Sequence, residues 1–564
     1  MTKIHSSHFR TLSDLFPVNS EAAGKTILLV GGGNSAGETA AAVAMQLSDA
    51  AWSPDRTLEQ RYKDCKIVHI TPRPIYGLPP YHEYEKGSKT YVPIDFKLYD
   101  LSKRQPEMPS YAGQQAMEVR DIVHNVLQTM VGGDQSDLGS EALVPAPKGD
   151  DRGTVYVALS ETYSEFVRSG AIDVRAGRVT GISKSGTATV EHEADGEQAK
   201  IENVGAVIYA TGYTPSTALN FLADDVKTVL QYDPNSARLP VVLEQWQTMN
   251  PSVPELAFVG FYEGPYWPVM EMQARLTASR WTCPATPAPQ RPYEDVDTLL
   301  QLRQAMQKKS LGVPQYWFGD YTGYMTEIAS RLQLPLNHGP FGEREGCPSP
   351  ARYLPSSISA AEKKQADAIM RDLHTLWHDC VDSGRFVARA VLRAMHGHWI
   401  ISRRIESRHP AFSGTLEGSA SFHPRVPTAE GFDLEYLYIE SGTFTSAASG
   451  MHMQARRRYV YRYSERHDKL SVWFVKPDHD LEVDYLFHDL SFVSPSQVKE
   501  AGVCVAKADH LCVEDMYWTQ YTLPMEAIVL RRFELKHTVK GPGKDYVATT
   551  EYTRPAKAGK ASLR

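Results

Sequence analysis

Residues 24–41 read GKTILLVGGGNSAGETAA. An apolar, β-branched run from Thr26 to Val30 ends in three consecutive glycines and passes into small, helix-favouring residues. Strand, tight turn and helix in that order confine the segment to a β-α-β unit. The G-x-G-x-x-A spacing within it is the pattern by which such units bind a dinucleotide. Gly31 permits the turn, Gly33 lets a pyrophosphate reach the backbone, and Ala36 with Gly37 lets the helix pack close on the sheet. Asn34 and Ser35 open the helix, whose first N–H groups lack partners within the helix and so face the phosphates. The next strand, KIVHIT (66–71), is followed by Pro72-Arg73-Pro74 and by no acidic residue. An acid at that place reads the ribose of NAD, whereas an arginine accommodates the 2′-phosphate of NADP. The reading is NADPH, with Gly31, Gly33, Asn34, Ser35, Ala36 and Arg73 as its contacts.

Beyond this unit, strands and helices alternate as far as residue 340, which places the region in the α/β class. Residues 76–110 are rich in Pro and Tyr without a period and read as a long loop. Helical patterns cover 114–130 and 154–169, and apolar runs at 204–216 and 253–261 read as strands. From 345 the chain becomes rich in Pro and Ser, then helical from about Ser359 to Met395. Residues 396–556 hold many β-branched, aromatic, partly alternating segments separated by turns such as KGPGKD, the pattern of an antiparallel sandwich or barrel.

Composition narrows the function classes. The net charge of −7 provides no basic field for nucleic acid or for an anionic membrane. No segment approaches the roughly 20 apolar residues of a membrane span, and the N-terminus has no apolar signal core. The expectation is a cytoplasmic protein acting on a small molecule. The six cysteines are scattered and form no C-x-x-C pair, which argues against a disulfide framework, a zinc ribbon and a dithiol reductase.

The motifs of residues 1–340 resemble the flavin-containing monooxygenase family. His5-Ser6-Ser7-His8-Phe9-Arg10 matches the tail of its F-x-G-x-x-x-H-x-x-x-Y/F fingerprint, the NADPH-type loop follows, and Ala210-Thr211-Gly212-Tyr213 comes later. PELAFVGF, MEMQARL (270–276) and WFGDYTGYMTEIAS resemble the family's returning strand, the helix after it and its C-terminal segment. The resemblance implies a Rossmann-type flavoprotein with two dinucleotide-binding domains. In it NADPH reduces FAD, and a C4a-hydroperoxide oxygenates a small organic substrate. Thr211, Gly212 and Gln273 would then lie near the flavin. The cofactor carries the chemistry, so no catalytic side chain is assigned.

The fingerprint glycine would fall at Met1, so the resemblance implies an N-terminally truncated flavoprotein without its FAD-phosphate loop. Neither VGGDQSDLGS (131–140) nor GPGKDY (541–546) replaces it. Strands near Val207–Tyr209 and Leu256–Gly260 would expose an edge or an apolar face. Three arrangements stay open: a shortened monooxygenase, a pair with a separate chain completing the FAD domain, and a flavin-free nucleotide-binding pseudoenzyme whose C-terminal barrel binds a small ligand. The implied organisation is a fingerprint remnant over 1–23, an NADPH domain over 24–150, the second half of the FAD domain over 151–345, a linker with a long helix over 346–395, and a β-barrel over 396–564.

The C-terminal part resembles an uncharacterised family, number 6314 among the domains of unknown function, on the run from GHWIISRRI through RRYVYRY, HLCVEDMY and KGPGKDYVATTEYTR. The expected fold is a calycin-like antiparallel barrel able to enclose a ligand. His510 and Cys512 fall on one face of a strand and Asp515 on the other, so no metal site is assigned. Arg404, Arg458, His488, Lys544 and Arg554 recur among apolar residues, either lining a polar cavity or facing solvent.

Overall fold

The computed structural model describes residues 1–17, 24–106, 108–110, 117–147, 152–153, 155–192, 196–236, 239–261, 267–283, 295–307 and 320–555. Parts of the expected linker (18–23) and of the segment WFGDYTGYMTEIAS (317–319) lie outside these residues.

The first unit runs through β1 (Thr2–His5), β2 (Thr26–Val30), helix α1 (Asn34–Trp52), β3 (Lys66–Thr71), helix α2 (Tyr163–Arg168), β4 (Ile172–Ala176), β5 (Arg178–Ile182), β6 (Ala188–Glu191), β7 (Gln198–Ile201) and β8 (Val204–Tyr209). Five of these strands form one parallel sheet in the order β1-β8-β2-β3-β4, with Leu28 level with Val207 on one side and Val68 on the other. Ile27, Leu28 and Leu29 are fully buried because both faces of the sheet are covered, which is why β2 reads as an unbroken apolar run. Helices α1 and α2 cover one face through Ala40, Val43, Ala44 and Phe166. The antiparallel meander β5-β6-β7 covers the other, setting Ala188, Val190 and Ile201 against Leu28, Ile70 and Val207.

This sheet corrects several expectations. A domain boundary at 150/151 would cut it, since β4 and β8 complete the sheet that β2 and β3 begin. The strand at Val207–Tyr209 exposes no edge, because β1 pairs outside it, Lys3 level with Val207. Residues 154–169 form no single helix. Val157–Leu159 pairs as a short strand with Tyr76–Leu78, and the helix begins only at Tyr163. The run Leu256–Gly260 forms no strand either. It makes one isolated bridge, Met249 to Ala257, and packs beside helix α3 (Trp267–Thr282) through the bond between the Gly260 N–H and Gln273. Among the described residues the other parallel pairing is the two-stranded one of Tyr76–Leu78 with Val157–Leu159.

The expected long helix is broken in two. Helix α4 (Ala360–Val381) starts at a capping box, Ser359 with Glu362, and the chain turns at Gly384 and Phe386, both with positive φ. The Asp468 carboxylate accepts from the Phe386 N–H and holds that turn, and helix α5 (Val387–Met395) follows. Strands β9 (Gly397–Ser407), β10 (Gly414–Arg425), β11 (Leu434–Ser446), β12 (His452–Ser464), β13 (Lys469–Val475), β14 (Val483–Phe492), β15 (Val503–Cys512), β16 (Asp515–Glu526), β17 (Arg532–Lys540) and β18 (Asp545–Thr553) then pair each with the next, and β18 with β9. The result is a closed ten-stranded, up-and-down antiparallel barrel. Closure removes every edge.

Helix α5 is buried nearly all round and plugs one end of the barrel. Trp399 donates its indole N–H to the Met395 carbonyl (2.8 Å), and the Arg554 guanidinium lies over its ring at 3.9 Å while donating to the carbonyls of Ala394 and His396. The α/β unit docks near this plugged end. Trp52 stacks on His423 at 4.0 Å, and Arg425 donates to the Trp52 carbonyl. The buried Glu165 carboxylate bonds Arg168 of its own helix and Arg393 of α5, with Arg554 4.0 Å away.

Candidate functional site

The carboxyl ends of β1, β8, β2 and β3 share one edge of the parallel sheet, and the glycine loop joins β2 to α1 there. From β2 the chain continues through α1 to β3 on one side, while β8 lies on the other. The crevice between β2 and β8 is therefore a topological switch point, where open α/β sheets bind ligands. Gly31 closes this crevice tightly, since a Cβ on it would stand 2.2 Å from the Ala210 carbonyl oxygen. Gly37 meets a similar limit on the other flank, 2.3 Å from the Ala158 methyl. Gly33 differs. A Cβ there would meet nothing within 4 Å, so open space lies before the first turn of the 19-residue α1.

The loop is fixed from behind by His69, a residue the sequence reading missed. Its Nε2–H donates to the Gly31 carbonyl (2.8 Å), and its Nδ1 accepts from the Tyr163 hydroxyl (2.9 Å). Burial depresses its pKa to about 4, so the ring is neutral and the two partners set its tautomer. A histidine between apolar residues of the strand, Ile67-Val68 before it and Ile70 after it, was the available signal.

Arg73 stands where the 2′-phosphate was expected. It is exposed, lies over the Tyr156 ring at 3.6 Å and points its Nε at the Gly32 carbonyl, 3.4 Å away. Asn34 and Ser35 are exposed at the helix start, but the Asn34 side chain accepts from the Leu159 N–H (2.6 Å) and so anchors the short strand beside the loop. Ala36 is buried against the sheet and offers its backbone alone.

The residues assigned to a flavin do not converge. Thr211 and Gly212 are exposed at the end of β8, where the Gly212 carbonyl lies 3.2 Å from His5 Nε2 and Tyr213 packs edge-on to the His5 ring. This joins the His5 segment to the A-T-G-Y segment. Gln273 is fully buried in α3, its carbonyl oxygen accepting from the Gly260 N–H and its amide donating to the Trp246 carbonyl. It faces no open site.

The second polar constellation is inside the barrel, and it separates the residues that the sequence left between cavity and solvent. Arg404 and Arg458 point outward, paired with Glu406 and Asp480, and Arg554 serves the plug. Inward-facing Arg403 instead makes two bonds to Glu440 (2.7 and 2.6 Å), with Thr550 on its Nε and the Tyr438 hydroxyl on the same carboxylate. His488 faces inward, while Lys544 sits at the rim and donates to the Tyr517 hydroxyl (2.8 Å). Asp515 accepts from the Gly543 and Lys544 N–H groups, which commits it to the turn beyond β17. No helix among the described residues is long and apolar enough to cross a membrane.

Residues 395–554 match the family DUF6314, described as a family of unknown function, and this segment coincides with the barrel. No curated protein matches the chain. Among solved structures, the S-type phycobiliprotein lyase CPES from Guillardia theta is similar at 10% identity over 30% of this chain and 93% of that one, with a TM-score of 0.22. At that score the likeness carries no argument.

Proposed function

We propose that the chain is an NADP(H)-binding protein whose first unit is a single Rossmann-type domain spanning β2 to β8, joined to a calycin-like barrel. The open space before Gly33, at the N-terminus of α1 and beside a switch point, carries this reading. The pyrophosphate would lie against the backbone of Gly33 and the first turn of α1, and the Arg73 guanidinium would meet the 2′-phosphate. His69 acts through the loop by holding the Gly31 carbonyl. When bound, the nicotinamide supplies a hydride. The chain's own residues bind and orient it.

FAD does not fit the residues present. Gln273 is committed to two backbone groups, and Thr211 and Gly212 stand at an open strand end. Calorimetric titration of the full chain with NADPH, NADH and FAD tests the reading. Saturable binding with NADPH preferred over NADH, lost in Gly33→Glu, supports it. Equal binding of both nicotinamides refutes the role of Arg73, and no binding of either refutes the reading. Retention of FAD by the purified chain would return the monooxygenase reading to first place.

A further inference from the structure

The two ends of the barrel differ in packing. At the plugged end, inward rings such as Trp399, Tyr463 and Tyr521 are buried. Towards the other end the inward positions Tyr459, Phe474, His510, Tyr517 and Tyr546 are only partly covered. An inward ring in a closed barrel is partly exposed only where solvent enters, so this end is an open cup.

Phe487 is central to the cup's rings. It stacks with Tyr459 at 5.7 Å and lies 4.8 Å from Phe474 and 5.0 Å from His510. Two register shifts between β13 and β14 bring its neighbour His488 inward as well, and His488 is only 2% exposed. Neither imidazole nitrogen of His488 has a partner. Burial holds the ring neutral, with one donor and one acceptor unused. At the mouth is Arg457. The carboxylate level with it, Glu440, is already taken by Arg403 and Tyr438. No ion pair or hydrogen bond holds the Arg457 guanidinium among the described residues. It is exposed, and its charge bears on the inward groups Tyr459, His537 and Tyr546.

His488 is level with Val472, which is level with Tyr461. Arg457 is four residues from Tyr461 along β12, roughly 13 Å at strand rise. A cation at the mouth, rings between, and an unused donor and acceptor below define one ligand class. We propose that the cup binds a small aromatic acid, with its carboxylate on Arg457, its ring among Tyr459, Phe474 and Phe487, and a ring hydroxyl on His488.

The probe is 4-hydroxycinnamate, titrated calorimetrically into the full chain beside cinnamate and 4-hydroxycinnamyl alcohol. Saturable binding of 4-hydroxycinnamate is expected, tighter than that of either analogue. Arg457→Gln, at an exposed position, should weaken the acid by roughly tenfold or more and leave the alcohol unchanged. His488→Leu should remove the preference for 4-hydroxycinnamate over cinnamate. Gly33→Glu should leave acid binding intact, which separates this site from the nucleotide loop. No saturable binding at millimolar acid overturns the proposal. So does unchanged affinity in Arg457→Gln, an unchanged preference in His488→Leu, or loss of acid binding in Gly33→Glu.

Discussion

His69 on β3 donates its Nε2–H to the carbonyl of Gly31 at 2.8 Å, tying the centre of the sheet to the first residue of the glycine loop. The Tyr163 hydroxyl completes the bridge to α2. His69→Phe leaves the Gly31 carbonyl and the Tyr163 hydroxyl buried without partners, and each such group costs about 1–3 kcal/mol. We expect the variant to lose stability in urea denaturation. NADPH affinity should also fall, although His69 touches no ligand. A variant that unfolds more easily but binds NADPH as tightly as before would confine His69 to a structural role.

The glycines of the loop differ in what surrounds them, which gives an internal control. Gly37→Ala drives a methyl to 2.3 Å from the Ala158 methyl, and such overpacking costs roughly 1–3 kcal/mol. Gly33→Ala meets nothing within 4 Å and has an extended, allowed backbone, so its stability should equal that of the natural chain. The two variants should separate in thermal unfolding. Gly33→Glu should keep the same midpoint as Gly33→Ala and lose the nucleotide.

Much of this arrangement was legible, and the failures share a cause. The β2-loop-α1-β3 segment is local, so its residues announce both the elements and their order. The partners of β2 are not local. That β8, far along the chain, lies beside β2 depends on tertiary pairing, which the pattern at 204–209 does not encode, so a boundary at 150 would cut the sheet. Gln273 reads as a helical polar residue of either fate, and only its two backbone partners decide it. In the barrel, alternation is visible but phase is not. A one-residue slip exchanges faces, so the sequence leaves Arg404 and Arg458 open between cavity and solvent and does not single out Arg403 and Arg457.

The two candidate sites lie at opposite ends of a common support. Helix α1 begins at the glycine loop, and its last turns, from Ser48 to Trp52, meet the barrel at Pro424 and Arg425. Nineteen residues span about 28 Å. The α/β unit also docks by the plugged end, whereas the cup opens at the other. A ligand in the proposed cup and a nucleotide on the glycine loop would therefore not meet directly.

Glu165 concentrates the contact between the two parts. Burial would raise its pKa, but Arg168, Arg393 and Arg554 hold it below the usual carboxylate range. Glu165→Ala strands buried guanidinium groups, and breaking such a cluster costs about 3–5 kcal/mol. Calorimetric unfolding should show a lower midpoint than that of Glu417→Ala, a change at an exposed strand position. Equal midpoints would mean that the interface is held by its apolar contacts alone.

Acid should weaken the protein through its buried histidines. His69 and His488 titrate near 4 and 3 when folded, against an ordinary value of 6.5, because burial disfavours the charged ring. Between about pH 6.5 and 4 the unfolded chain therefore binds more protons than the folded one, and stability falls as pH falls. One such histidine contributes at most about 2 kcal/mol of loss at pH 5. His488→Leu removes one share, so its stability should decline less steeply than that of the natural chain across pH 7, 6 and 5 in urea. Parallel declines would show that His488 is protonated in the folded barrel.

The Arg403–Glu440 pair offers the sharpest energetic test of the barrel interior. Both side chains are buried, and the pair is satisfied by two mutual bonds, by Thr550 on Arg403 and by Tyr438 on Glu440. Removing one partner leaves an uncompensated charge in a water-poor interior, which costs about 3–5 kcal/mol. Removing both exchanges the desolvation of two ions for apolar packing, a change that is often close to neutral. Arg403→Met and Glu440→Leu should each destabilise the chain strongly, and the double variant should recover most of the loss. Tyr438 loses an acceptor in Glu440→Leu but keeps the Tyr552 hydroxyl 2.9 Å away, so it does not obscure the comparison. A double-mutant cycle in urea reads the coupling directly. Additive losses would mean that water reaches the pair from the cup and that each ion is solvated on its own.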